Sequence, residues 1–128
     1  MSLADLPVGP VIPVSDLERS RAFYEGTLGL KGEAVPGGYV LYCGGDTRIF
    51  LLAGTDYAAH AEWPLASFRA DRLDAVVDEL LAAGVVMAHF EGGPYATDER
   101  GIADMDGVRI AWFRDPDRQV IAIFEPQT

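Results

Sequence analysis

The sequence predicts an α+β domain made of two β-α-β-β-β halves, and three observations carry that reading. A helical stripe of apolar residues occurs twice, with the acidic starts Asp16 and Asp71 about 55 residues apart. Each stripe ends at a glycine, Gly29 and Gly84, the residue that most readily leaves a helix in a left-handed turn. Each is preceded by one short apolar segment and followed by three, separated by glycine-rich or turn-forming residues.

In order, residues 11–14 read as a strand, and Ser15-Asp16-Leu17-Glu18 has the capping-box pattern that opens a helix over 16–28. Strands follow over 30–35, 39–43 and 48–53, divided by Pro36-Gly37-Gly38 and Gly44-Gly45-Asp46. In the second half a strand over 65–70 leads to Asp71 as N-cap and to the stripe Leu73, Val76, Val77, Leu80 and Leu81. Strands over 85–90, 108–114 and 120–124 complete it, the last two joined by the turn Asp115-Pro116-Asp117. A linker spans 54–64, and the polar, glycine-rich stretch 92–107 is expected to loop over one end of a sheet. The expectation is one domain over 1–128, with module one at 8–53 and module two at 65–126.

Composition narrows the partners. Twenty acidic against 10 basic residues give a net charge of −10, the wrong sign for nucleic acid or an anionic membrane. That acidity solvates the surface and can steer a cationic ligand. A single cysteine, Cys43, rules out an intrachain disulfide and fits a reducing compartment. Residues 1–5 lack a basic region followed by an apolar one, and no apolar run approaches about 18 residues, so a cytoplasmic, non-spanning protein is expected. There is no Gly-x-Ser-x-Gly elbow, phosphate-binding loop or dinucleotide fingerprint, and nothing beside Cys43 marks an activated thiolate.

Val14-Ser15-Asp16-Leu17-Glu18-Arg19-Ser20-Arg21-Ala22-Phe23-Tyr24 near the start and Phe113-Arg114-Asp115-Pro116-Asp117 near the end resemble the vicinal oxygen chelate superfamily. That group holds glyoxalase I, bleomycin-resistance proteins, fosfomycin-resistance transferases and extradiol dioxygenases. The resemblance implies curled mixed sheets around a cleft, helices on the outer face, and a homodimer. It also implies metal ligands, His or Glu and sometimes Gln, on four strands. Here those positions fall near Gly9, near Leu65, at Ala122 and within Arg48-Ile49-Phe50-Leu51-Leu52, none of which offers a metal ligand. No metal and no cofactor is therefore expected. The alternative is a glyoxalase-like lyase or dioxygenase-type enzyme with ligands relocated to His60, Glu62, His89 and Glu91.

Within the curled sheets, alternation puts Arg48, Phe50 and Leu52, and Leu65, Ser67 and Arg69, on the cavity face, with Ile49, Leu51, Ala66 and Phe68 under the helices. An inward arginine can hold a carboxylate or phosphate, stack on a planar ring, or pair with a neighbouring acid. Trp63 and Tyr95 sit in or beside loops with little core to fill, and Trp112 precedes the closing turn. Trp112 alternates with Arg109, Ala111 and Phe113, and the sequence leaves open which set faces the cavity. Arg48, Phe50, Trp63, Arg69, Tyr95 and Trp112 are thus the candidate ligand-binding residues. They suit a protein that sequesters a cationic or planar antibiotic or metabolite without chemistry. The rivals are the relocated-metal enzyme, a cofactor-free catalyst using Tyr95, Asp98 or Glu99, and a partner-binding module with a filled cavity.

Overall fold

The protein is described by a computed structural model covering residues 2–126. The first half is strand β1 (Val11–Pro13), helix α1 (Leu17–Arg21) and strands β2 (Lys31–Val35), β3 (Gly38–Tyr42) and β4 (Arg48–Leu52). They form one mixed sheet ordered β1-β4-β3-β2, with β1 parallel to β4 and the other pairs antiparallel. Asp16, not a Ser15 capping box, opens α1: its side chain accepts the Arg19 N–H at 3.1 Å, while the Ser15 hydroxyl is spent on Asp117. The helix then widens into a π-helical turn, Ala22–Thr27, in which the Leu28 N–H reaches five residues back to the Phe23 carbonyl at 2.9 Å. Gly29 and Gly84 stop their helices in the left-handed region, with φ of 80° and 82°.

The second half is β5 (Ser67–Arg69), α2 (Leu73–Ala82), β6 (Val86–Met87), β7 (Ile102–Met105), β8 (Val108–Arg114) and β9 (Val120–Glu125). The order is β5-β9-β8-β6, and β7 also pairs with β8. Asp71 is not the cap of α2; Arg72 stands there, and the Leu73 N–H is taken by the Glu125 carboxylate at 2.8 Å, so β9 caps the helix from outside.

Two further expectations fail together. The strand over 85–90 is only Val86–Met87, and the stretch 92–107 contains a strand, β7. Met87 pairs with Phe113, the Ala88 N–H donates to the Trp112 carbonyl, and Ile102 then pairs with Ala111. So β6 and β7 lie in one line along β8, a single edge strand interrupted by the loop 89–101. Asp106 and Gly107, both at positive φ (55° and 92°), turn β7 back into β8 as an Asp-Gly hairpin.

One apolar core runs through both halves, joining Ile12, Leu41 and Leu51 to Leu73, Val77 and Ile121. Tyr24 and Phe23 of the first half meet Asp115 and Phe113 of the second. A separate, smaller cluster of Ala88, Ala103, Trp112, Val120 and Ala122 covers the opposite face of the second sheet. Among the described residues no helix is long and apolar enough to cross a membrane.

Candidate functional site

Pairing fixes which side chains share that second face. Trp112 pairs with Ala122, Ala122 with Ser67, and Ile110 with Phe124, so side chains from β8, β9 and β5 stand in rows across the strands. Their neighbours Ala111, Phe113, Ile121 and Ile123 point the other way into the main core, and Arg109 pairs with Asp74 on α2. Trp112 therefore belongs to the face away from α2. It lines a cleft of about 570 Å³ with Trp63, Phe90, Tyr95, Ile110 and Phe124.

Three rings meet edge to face there. The Phe90 ring stands 5.1 Å from Trp112 at 88°, and the Tyr95 ring 6.2 Å away at 79°. Trp112 is 6% exposed, whereas Trp63 and Tyr95 are 66% and 52% exposed, so two large rings present open faces at the mouth of an otherwise apolar groove. Ala122, small and buried, forms the floor opposite Trp112. Glu62 is the one carboxylate lining the cleft among the described residues.

The 89–101 loop holds two of these rings by its own polar groups. Thr97 accepts the Phe90 N–H at 2.9 Å through its hydroxyl and returns its own N–H to the Phe90 carbonyl at 2.9 Å. Asp98 closes the loop by accepting the N–H groups of Arg100 and Ile102, each at 2.9 Å. Arg100 fastens it to α2 through Asp74 and Asp78. Trp63 is anchored by its carbonyl, which accepts from the buried Gln119 amide at 3.0 Å.

Of the six sequence candidates, Trp63, Tyr95 and Trp112 come together in this cleft. Arg48 and Arg69 line a second cavity of about 670 Å³, between the start of the first sheet and β5. Phe50 lines neither cavity; its ring tip lies against the backbone at Gly38. Sequence reading missed Phe90, Ile110 and Phe124. Phe90 was hidden in an expected strand, although Glu91-Gly92-Gly93-Pro94 directly after it signals where that strand must break.

The residues present do not suit a metal ion. Gly9 and Leu65 line the second cavity and Ala122 the aromatic cleft, and none carries a ligand atom. Gly9 is fixed as glycine by packing, because a Cβ there would sit 2.8 Å from the Arg48 carbonyl oxygen. Among the described residues, no three or more His, Cys, Asp or Glu side chains gather where they could share an ion, His60, Glu62, His89 and Glu91 included. Burial pushes the Cys43 thiol above its ordinary range, away from nucleophilic chemistry.

Residues 8–123 match the Glyoxalase/Bleomycin resistance protein/Dioxygenase superfamily, and the chain belongs to it. Solved structures agree over nearly the whole length. TnmS3, an antibiotic binding protein from Streptomyces sp. CB03234, superposes with a TM-score of 0.67 at 26% identity, over 96% of this chain and 98% of that one. A glyoxalase/bleomycin resistance protein from the same Streptomyces strain gives 0.60 at 28%, covering 88% and 94%. A glyoxalase/bleomycin resistance protein/dioxygenase from Alicyclobacillus acidocaldarius gives 0.68 at 17%, over 98% and 94%, a likeness of fold alone. No protein of curated function matches the chain significantly.

Proposed function

We propose that this protein binds and sequesters a planar aromatic antibiotic or metabolite in the Trp63–Tyr95–Trp112 cleft, without a metal. The observation that carries the reading is the pair of exposed rings, Trp63 and Tyr95, flanking a groove floored by Trp112 and Ala122. A planar ligand sliding between them would bury apolar surface on both faces, at roughly 25 cal/mol per Å², and each ring pair would add about 0.5–1.5 kcal/mol. The volume, about 570 Å³, lies in the range of drug-sized sites. Glu62 at the lip favours a positively charged substituent on such a ligand. The similarity to TnmS3, an antibiotic binding protein, points the same way.

The protein acts in the cytoplasm on this reading, with Cys43 kept reduced, and as a homodimer with two clefts. Light scattering in solution tests the dimer.

Binding is tested by tryptophan fluorescence and thermal shift with doxorubicin as the planar probe and bleomycin as a cationic glycopeptide. A compound at about 100 times its dissociation constant should add about 2.7 kcal/mol, several degrees in a domain of this size. Doxorubicin should shift the melting point and quench the tryptophans. No response to planar probes, or purification with stoichiometric transition metal, would overturn the reading.

A further inference from the structure

The larger cavity carries the opposite charge to the rest of the molecule. The chain has 20 acidic and 10 basic residues, yet this cavity of about 670 Å³ is lined by Arg48 and Arg69 and, among the described residues, by no Asp or Glu. Arg19, Arg21, Arg100 and Arg109 make salt bridges, whereas among the described residues Arg48, Arg69, Arg72, Arg114 and Arg118 make none, and of these five only Arg48 and Arg69 line this cavity. The Arg48 guanidinium instead lies 5.2 Å from the centre of the Tyr42 ring, which fixes it without neutralising it. Two unpaired guanidinium groups on the wall of one cavity free of acidic residues form a donor pair suited to an anion.

The two cavities adjoin at β5, which among the described residues pairs only with β9. Ser67 lines both. Arg69 pairs in register with Phe124, a wall of the aromatic cleft, so the two side chains stand side by side on the same sheet face. A ligand whose ring lies against Phe124 in the cleft therefore has Arg69 on the neighbouring strand, and Arg48 lines the same cavity as Arg69. A bare anion would be repelled by the net charge of −10, and an aromatic anchor offsets that repulsion.

We infer that the ligand of the aromatic cleft carries a carboxylate, received by Arg69 and Arg48 in the adjoining cavity. This rests on the planar-ligand reading above. It narrows the ligand class from planar aromatics in general to planar aromatics that carry a carboxylate on the β5 side, whether or not a cationic substituent sits at Glu62.

Calorimetric titration with pyrene-1-butyric acid and with its primary amide tests the inference, because the two share ring and arm and differ in charge. The native protein should bind the acid about tenfold tighter than the amide, the equivalent of one charge-assisted hydrogen bond of about 1.4 kcal/mol. The gap should narrow as salt rises, since both arginines are exposed. In the Arg48→Gln/Arg69→Gln double variant, whose folding is checked by its melting point, the acid-to-amide ratio should fall to about one. Equal affinity of the two compounds for the native protein overturns the carboxylate inference and leaves the planar-ligand reading standing. Failure of both compounds to bind overturns both. A tenfold preference that survives in the double variant overturns the assignment to Arg48 and Arg69.

Discussion

The Tyr24 hydroxyl, at the end of the first half's helical segment, donates to Asp115 Oδ2 in the closing turn of the second half at 2.8 Å, and both residues are buried. The other carboxylate oxygen accepts the N–H groups of Asp117 and Gln119, each at 2.9 Å, so a single side chain shapes the turn and bolts it to the other half. Asp117, next along, takes Ser15 and Arg19 from the same helix start. The two motifs that resemble the superfamily are thus partners in one lock. Tyr24→Phe keeps the ring packed on Phe23 and removes only the donor. It should cost about 1–2 kcal/mol, read from urea unfolding. A double-mutant cycle with Asp115→Asn should show that the two losses are not additive.

Two carboxylates should give opposite pH signatures. Hydrogen bonds from Arg109 and Arg100 hold Asp74 well below the ordinary carboxylate range, so its contribution to stability is fully present above that range and is lost progressively as pH falls below it toward the lowered value. Burial pushes Asp115 up, against the hydrogen bonds from Tyr24 and the backbone that pull it down. Its contribution is complete below the ordinary range and declines as pH rises through the raised value. Asp74→Asn should therefore be most costly at about pH 7 and least at about pH 3, and Asp115→Asn the reverse. Urea midpoints across that interval check both; parallel curves for the two variants would contradict the prediction.

Exposure separates binding from folding within the aromatic cleft. Trp63 is 66% exposed, so Trp63→Ala should change stability by less than about 0.5 kcal/mol while weakening a planar ligand about tenfold. Trp112 is 6% exposed and carries both Phe90 and Tyr95 on its faces and edges; Trp112→Ala should cost about 3–5 kcal/mol. Fluorescence titration beside thermal unfolding distinguishes the two. An unaltered affinity in a stable Trp63→Ala protein would remove that residue from the site.

The closing strand was legible because Val120, Ile121, Ala122, Ile123 and Phe124 form an unbroken apolar run, the pattern of a strand buried on both faces. What alternation could not supply was the identity of each face: Trp112 is assigned only by its cross-strand partner Ala122, a non-local fact. Strand β7 escaped because Ile102-Ala103-Asp104-Met105 places a charge mid-strand, while the Asp106-Gly107 turn signal beside it was present in the sequence. The split between the arginine cavity and the aromatic cleft was not legible either. It depends on β5 standing as an edge strand between them, which is set by how the halves pack and not by any local pattern.

Ala122 sits where the superfamily's resemblance places a metal-binding carboxylate, and restoring one tests whether that chemistry is merely one substitution away. Ala122→Glu would set a carboxylate between Trp112 and Ser67, on a face whose other members are Val120, Ile110 and Phe124. An unpaired charge on so apolar a wall should cost about 1–3 kcal/mol even with the cleft open to water. It should also fill the space that a planar ligand needs. No metal should compensate, because Gly9 cannot accept a side chain against the Arg48 carbonyl and Leu65 offers no ligand atom. Dialysis against nickel, zinc or manganese followed by elemental analysis should find less than one equivalent bound, with urea unfolding showing the loss in stability. One tightly held equivalent, accompanied by recovered stability, would mean that the aromatic cleft is a metal centre lacking a single ligand.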